Sequence, residues 1–146
     1  MKKLLALLAL AGALTLAAGA ASAQDDSADQ LIQSGLQVLH LIDADRDGDL
    51  WDAAAPFVKA RFPKAELMAS FRKARESVGT VAQRTWASVN RIRYLQATNE
   101  APAGLYANID YSTRLTDGRT VFELVTFMQG ANGTWHLVGY APRQRQ

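Results

Sequence analysis

Cysteine is absent from the 146 residues, which excludes disulfides, thiolate-held zinc, iron–sulfur clusters, thiol nucleophiles and a lipid-modified N-terminal cysteine. Histidine is scarce. Only His40 and His136 could do imidazole chemistry near neutral pH, and their spacing is not that of a zinc pair. The chain also lacks a nucleophile elbow, a Walker loop and a dinucleotide fingerprint. What is present is a folding composition, 49% apolar and 21% charged, long enough for one ordinary domain.

The surplus of positive charge, +2 overall, is an effect of the first residues. Met1-Lys2-Lys3 precedes an apolar run from Leu4 to Ala18, and small residues follow to Ala21-Ser22-Ala23. This is the layout of an export signal with cleavage after Ala23. Removing residues 1–23 takes away Lys2 and Lys3 and leaves fourteen bases against fourteen acids. A nucleic-acid role loses its compositional support, because phosphate binding needs excess cations. The expectation is a periplasmic or secreted chain, free of the membrane after cleavage, with residues 24–146 forming a single domain.

Ala28, Leu31, Ile32, Gly35, Leu36, Leu39 and Ile42 recur at helical spacing behind a cap at Ser27 or Asp29, which predicts a first amphipathic helix. A second should start near Asp47 or Asp49, bury Trp51, Ala54, Ala55, Val58 and Phe62, and kink at Pro56. A third should open at Pro63, carry Leu67, Phe71, Ala74 and Val78 on one side, and stop at Gly79. Beyond it the period becomes two. Residues 85–96 read as a strand, and Leu105 to Leu115 alternate. Asp117-Gly118 and Asn132-Gly133 predict two-residue type I′ hairpins. That register sets Tyr111 opposite Leu124 and Met128 opposite Leu137. One sheet face is then Ala107, Ile109, Tyr111, Phe122, Leu124, Met128, Trp135 and Leu137, lying against the helices. The other carries Asn108, Asp110, Ser112, Glu123 and His136 together with Val125, Phe127, Val138 and Tyr140. This second face is half apolar, and it would suit a homodimer through Val125, Phe127, Val138 and Tyr140. Trp51, Trp86, Trp135, Phe57, Phe62, Phe71 and Phe122 are spaced as core residues. The fold class is α+β, three N-terminal helices packed on one face of a four-stranded antiparallel meander sheet.

Leu41-Ile42-Asp43, Trp51-Asp52-Ala53-Ala54-Ala55-Pro56, Arg75-Glu76-Ser77-Val78-Gly79 with Arg84, Phe122-Glu123-Leu124-Val125 and Gly133-Thr134-Trp135-His136-Leu137-Val138-Gly139-Tyr140 resemble a family of exported bacterial proteins, domain of unknown function 4019. The resemblance implies a small cystatin-like or nuclear-transport-factor-2-like domain. It implies no catalytic residues, because none are assigned in the family.

Two candidate sites follow from the residues. Asp43-Ala44-Asp45-Arg46-Asp47-Gly48-Asp49-Leu50 matches the first eight positions of an EF-hand loop, but position 12, where a bidentate Glu belongs, is Ala54. Asp43, Asp45, Asp47 and Asp49 therefore suit either a solvated turn that charges the start of the next helix or a low-affinity calcium site. The other candidate is a pocket under the helices, with Tyr111 and Thr126 on its wall and Arg75 or Arg84 at its rim. A non-enzymatic binding or interaction module without a cofactor is the functional expectation. A small pocket enzyme and a calcium-responsive domain are the alternatives.

Overall fold

The computed structural model describes residues 27–146; the leader and its cleavage site lie outside them. Four helices precede four strands: α1 (Ala28–Asp43), α2 (Asp47–Ala53), α3 (Pro56–Arg61), α4 (Lys64–Glu76), β1 (Val81–Tyr94), β2 (Gly104–Leu115), β3 (Thr120–Gln129) and β4 (Trp135–Arg143). The strands form one antiparallel sheet in the order β1-β2-β3-β4, with the helices on its inner face. This is the α+β order read from the sequence, with one helix more. No helix among the described residues is long and apolar enough to cross a membrane.

The helices form where the local signals place them. Ser27 caps α1, its side chain accepting from the Gln30 amide, and Leu31, Ile32, Val38, Leu39 and Ile42 turn one stripe into the core. The expected second helix is two short ones. A residue before proline is pushed out of the helical region, and Ala54 and Ala55 are extended, with ψ near 144° at each. Their backbone is not idle. Ala54 bridges Leu137, and the Ala55 amide donates to the Leu137 carbonyl at 2.7 Å. What the sequence reads as a kink is a break held by a strand more than 80 residues away. Phe62, assigned to the buried side, is exposed just past the end of α3.

Both hairpins turn where expected but through three residues instead of two. The Leu115 amide donates to the Arg119 carbonyl, and the Gly130 amide to that of Thr134. Only the glycines, Gly118 at φ 88° and Gly133 at φ 82°, adopt positive φ. A type I′ turn needs it at both central residues, so these are the three-residue loops in which glycine alone closes the turn. Asp117 and Asn132 instead accept the amides of Arg119 and Thr134 on their side-chain oxygens.

The extra residue of the first hairpin moves the side chains of β3 to the opposite face, and the second extra residue returns the start of β4 to its expected facing, so Leu137 stays inward. Tyr111 pairs with Glu123, Ile109 with Val125 and Phe127 with Leu137. The inner face of β3 is Val121, Glu123, Val125 and Phe127, not Phe122, Leu124 and Met128. Val125 and Phe127, on which the expected dimer surface was drawn, are therefore in the core beneath the helices, and Tyr140 joins them because a bulge in the β3–β4 pairing turns it inward. A bulge between Thr126 and Phe127 resets the pairing with β4, and Val138 is only partly buried. Trp86 also departs from the core reading. It sits at the register of Tyr111 on the edge strand, exposed to solvent.

One close approach fixes the seat of α1. The Tyr111 hydroxyl donates to the Ile32 carbonyl at 2.6 Å, and its ring passes under Gly35. A Cβ at Gly35 would lie 2.1 Å from that hydroxyl oxygen and 3.0 Å from the ring carbon bearing it. Gly35→Ala should destabilise the fold by about 1–3 kcal/mol in denaturant unfolding, despite alanine's better helix propensity. Adding Tyr111→Phe should recover part of that loss. Strict additivity of the two changes would show that the clash is not the cause.

Candidate functional site

Four charged side chains from distant parts of the chain meet where α1, α4 and the sheet converge. Asp43 is the last residue of α1, Arg75 lies in the last turn of α4, Arg84 on β1 and Glu123 on β3. The Arg84 guanidinium is gripped on two sides. Its Nε and Nη2 donate to the Glu123 carboxylate at 2.6 and 3.1 Å, and its Nη1 and Nη2 to Asp43 at 2.5 and 3.1 Å. Arg75 Nε donates to Asp43 Oδ1 at 2.6 Å, while its Nη1 donates to the Gly79 carbonyl at 2.8 Å. Glu123 has no solvent exposure. It also accepts the Thr113 hydroxyl at 2.5 Å and the Tyr140 hydroxyl at 2.8 Å. The Tyr140 ring is set edge-on against Phe71 of α4.

Two guanidinium groups and two carboxylates make the cluster neutral, which is what burial demands. Burial alone would raise the Asp43 carboxyl, but hydrogen bonds and charge from Arg84 and Arg75 outweigh it and hold Asp43 below its ordinary 3.8. Burial opposes the charge on Arg84 as well, and Asp43 and Glu123 overcome it, so that guanidinium is held more firmly protonated than usual. The Tyr140 phenol is pushed up by burial and by the neighbouring Glu123 charge. These groups satisfy one another. A carboxylate that accepts four hydrogen bonds beneath a closed core joins β1 to β3 and, through Arg84 and Asp43, to α1; Arg75 adds α4.

The acidic stretch does not curl around a common centre. α1 ends at Asp43 and α2 begins at Asp47, and between them Asp45 turns the chain at φ 52°. Asp43 is taken by Arg84 and Arg75, Asp47 pairs with Arg72 of α4, and Asp49 pairs with Arg46 at 2.6 Å. Among the described residues no group of three or more His, Asp or Glu side chains is placed to hold a metal ion.

The outer sheet face carries a second feature. Residues 95–103 leave β1 and curl back over the sheet before β2. With it they enclose a cleft of about 380 Å³ lined by Tyr94, Gln96, Thr98, Glu100, Ala101, Tyr106, Asn108, Thr126 and Val138. The segment is held without regular structure. Arg61 of α3 donates to the Asn99 and Glu100 carbonyls at 3.2 and 2.9 Å. The Thr98 hydroxyl accepts the Glu100 and Ala101 amides, and the Tyr106 hydroxyl donates to the Pro102 carbonyl at 2.8 Å. Tyr94 and Tyr106 meet edge to face, 5.4 Å between ring centres. On the floor the Thr126 hydroxyl donates to Asn108 Oδ1 at 2.9 Å.

Of the four side chains read as one pocket, Arg75 and Arg84 share Asp43, while the other two separate. Tyr111 is buried against α1, and Thr126 opens onto the outer face. The helix-facing pocket is therefore not formed by these four. Sequence reasoning missed Glu123, Thr113 and Tyr140, because the two-residue hairpin register turned Glu123 outward and no local signal announced the β3–β4 bulge that brings Tyr140 inward. Asp110, expected beside Glu123, is on the opposite face, paired with Arg143.

A profile of the family described as "Protein of unknown function (DUF4019)" matches residues 34–140. The chain belongs to that family. No curated protein and no solved structure gives a significant match. The matched span includes all four members of the charge cluster and the whole outer cleft.

Arg84→Met should cost about 3–5 kcal/mol, measured by urea unfolding, because it strands the buried Glu123 carboxylate. The double change Arg84→Met with Glu123→Leu should lose less than Arg84→Met alone. Asp43 also sets an acid limb. Its folded pKa lies below the unfolded 3.8, so the unfolded state binds more protons in that window. The stabilisation is complete above about pH 4 and is lost as pH falls through the lower folded value. Thermal melts across this range should show a shallower acid decline in Asp43→Asn; a slope equal to that of the parent would refute the assignment.

Proposed function

We propose that this DUF4019 chain is an exported, non-enzymatic binding module that takes a small ligand in the cleft between the outer sheet face and residues 95–103. We read its helices-then-meander order as a cystatin-like arrangement. The observation that carries the proposal is the division of labour inside the cleft. The bonds that hold its wall in place use Arg61, the Thr98 and Tyr106 hydroxyls and main-chain groups. The Tyr94 hydroxyl, Gln96 amide, Glu100 carboxylate and Asn108 amide nitrogen are not spent on that task. A preorganised wall with unspent donors and acceptors lowers the ordering cost of binding.

The lining also limits the ligand. Two tyrosine rings and Val138 offer apolar contact, the amides offer hydrogen bonds, and Glu100 is the single ionisable carboxylate or base among the lining residues. Neutral polar and cationic molecules therefore suit it better than anions. The charge cluster at the opposite side of the sheet supports the same reading, since its acids and bases are bound to one another and hold the scaffold.

The test starts from protein recovered from its own cell envelope, whose first residue should be Gln24. Native mass spectrometry should show a retained small molecule. Tyr94→Ala and Asn108→Leu should lose it by at least about tenfold in occupancy while shifting the melting temperature little, because both side chains face the outer cleft. Retention unchanged in both variants would place binding elsewhere.

A further inference from the structure

The sheet has two edges, and they are treated differently. On the β4 side, Ala54 bridges Leu137 and the Ala55 amide occupies its carbonyl. On the β1 side no strand of the described residues follows. The large apolar side chains left exposed concentrate on that open edge. Trp86 is 58% exposed, Ile92 38%, Tyr94 47% and Leu95, the next residue, 84%. Only Phe62 joins them from elsewhere among the described residues.

The charge on β1 is of one sign. Its bases are Arg84, Arg91 and Arg93, and it has no acid. Arg84 is turned inward to Asp43 and Glu123, so Arg91 and Arg93 carry the strand's exposed positive charge. Between residues 91 and 94 the register separates the two kinds of side chain. Arg91 and Arg93 pair with Ala107 and Leu105 on the inner side, whereas Ile92 and Tyr94 pair with Tyr106 and Gly104 on the outer side.

We propose that the β1 edge receives an extended segment of a partner protein in which acidic and apolar residues alternate, added to the sheet as a fifth strand. Its main chain would take up the open edge's hydrogen-bonding groups. On alternate positions its carboxylates would face Arg91 and Arg93, and its apolar side chains would extend the row begun by Ile92 and Tyr94. Charge alone can guard an edge against unwanted pairing, but a guarded edge has no use for four exposed large apolar side chains. A second copy is the poorer occupant. Neither β1 nor β4 contains an acid, so edge-to-edge pairing of two copies would bring like charges together.

The experiment uses the mature chain, labelled with ¹⁵N, and two short synthetic peptides, one alternating Glu with Val and the other Lys with Val. The Glu peptide should bind and slow amide exchange within residues 88–94, and the Lys peptide should not. Arg91→Glu with Arg93→Glu should weaken the Glu peptide by at least about tenfold and transfer binding to the Lys peptide. Arg91→Gln with Arg93→Gln, expected to weaken the Glu peptide alone, serves if the reversed pair fails to fold by circular dichroism. Equal affinity for the two peptides, protection away from β1, or a sedimentation-detected dimer that buries β1 would overturn the proposal.

Discussion

The Arg84–Glu123 pair is the constraint on which the remaining architecture turns. A carboxylate with no access to water is tolerated only with a matched cation and with its lone pairs filled. Meeting that condition specifies much else. Arg84 must reach from β1 across β2 to β3, Thr113 must stand between them, and Tyr140 must come from β4. The same guanidinium then reaches Asp43 at the end of α1, which in turn holds Arg75 of α4. Apolar packing explains why the helices lie on the sheet. The ion pairs explain why they lie in one position, since a displaced α1 would take Asp43 away from the buried Arg84 guanidinium.

The local punctuation of the chain was readable and the long-range partners were not. Ser27, Pro63 and the glycines of the two hairpins announce their turns by chemistry confined to a few neighbours. The break at Ala54-Ala55 depends on Leu137, and nothing within the second helix reveals that partner. The hairpins show how small the difference can be. Asp-Gly and Asn-Gly serve two-residue and three-residue loops alike, and the choice was settled by side-chain oxygens of Asp117 and Asn132 accepting amides two residues on. That one-residue difference turns Glu123 and Val125 inward, and a bulge in the β3–β4 pairing brings Tyr140 in beside them. An alternation argument anchored on the three-residue loop would have exposed a glutamate among valines facing the core, and so the need for a buried cation.

The same inversion leaves a different outer surface from the one alternation suggests. Thr126 and Asn108 meet there, and Tyr106 closes over them. Family membership adds the span over which this architecture is shared, and that span runs from within α1 to Tyr140. The charge cluster and the outer cleft thus both lie in the part of the chain that defines the family.

The members of the ionic cluster are far apart along the chain: Asp43 is 32 residues from Arg75 and 41 from Arg84, and Arg84 is 39 from Glu123. Bringing such remote groups together carries a larger loop-closure cost than closing either tight hairpin. Each of these ion pairs therefore joins segments that only the whole fold brings together, so the cluster cannot survive the opening of α1, β1 or β3 by itself.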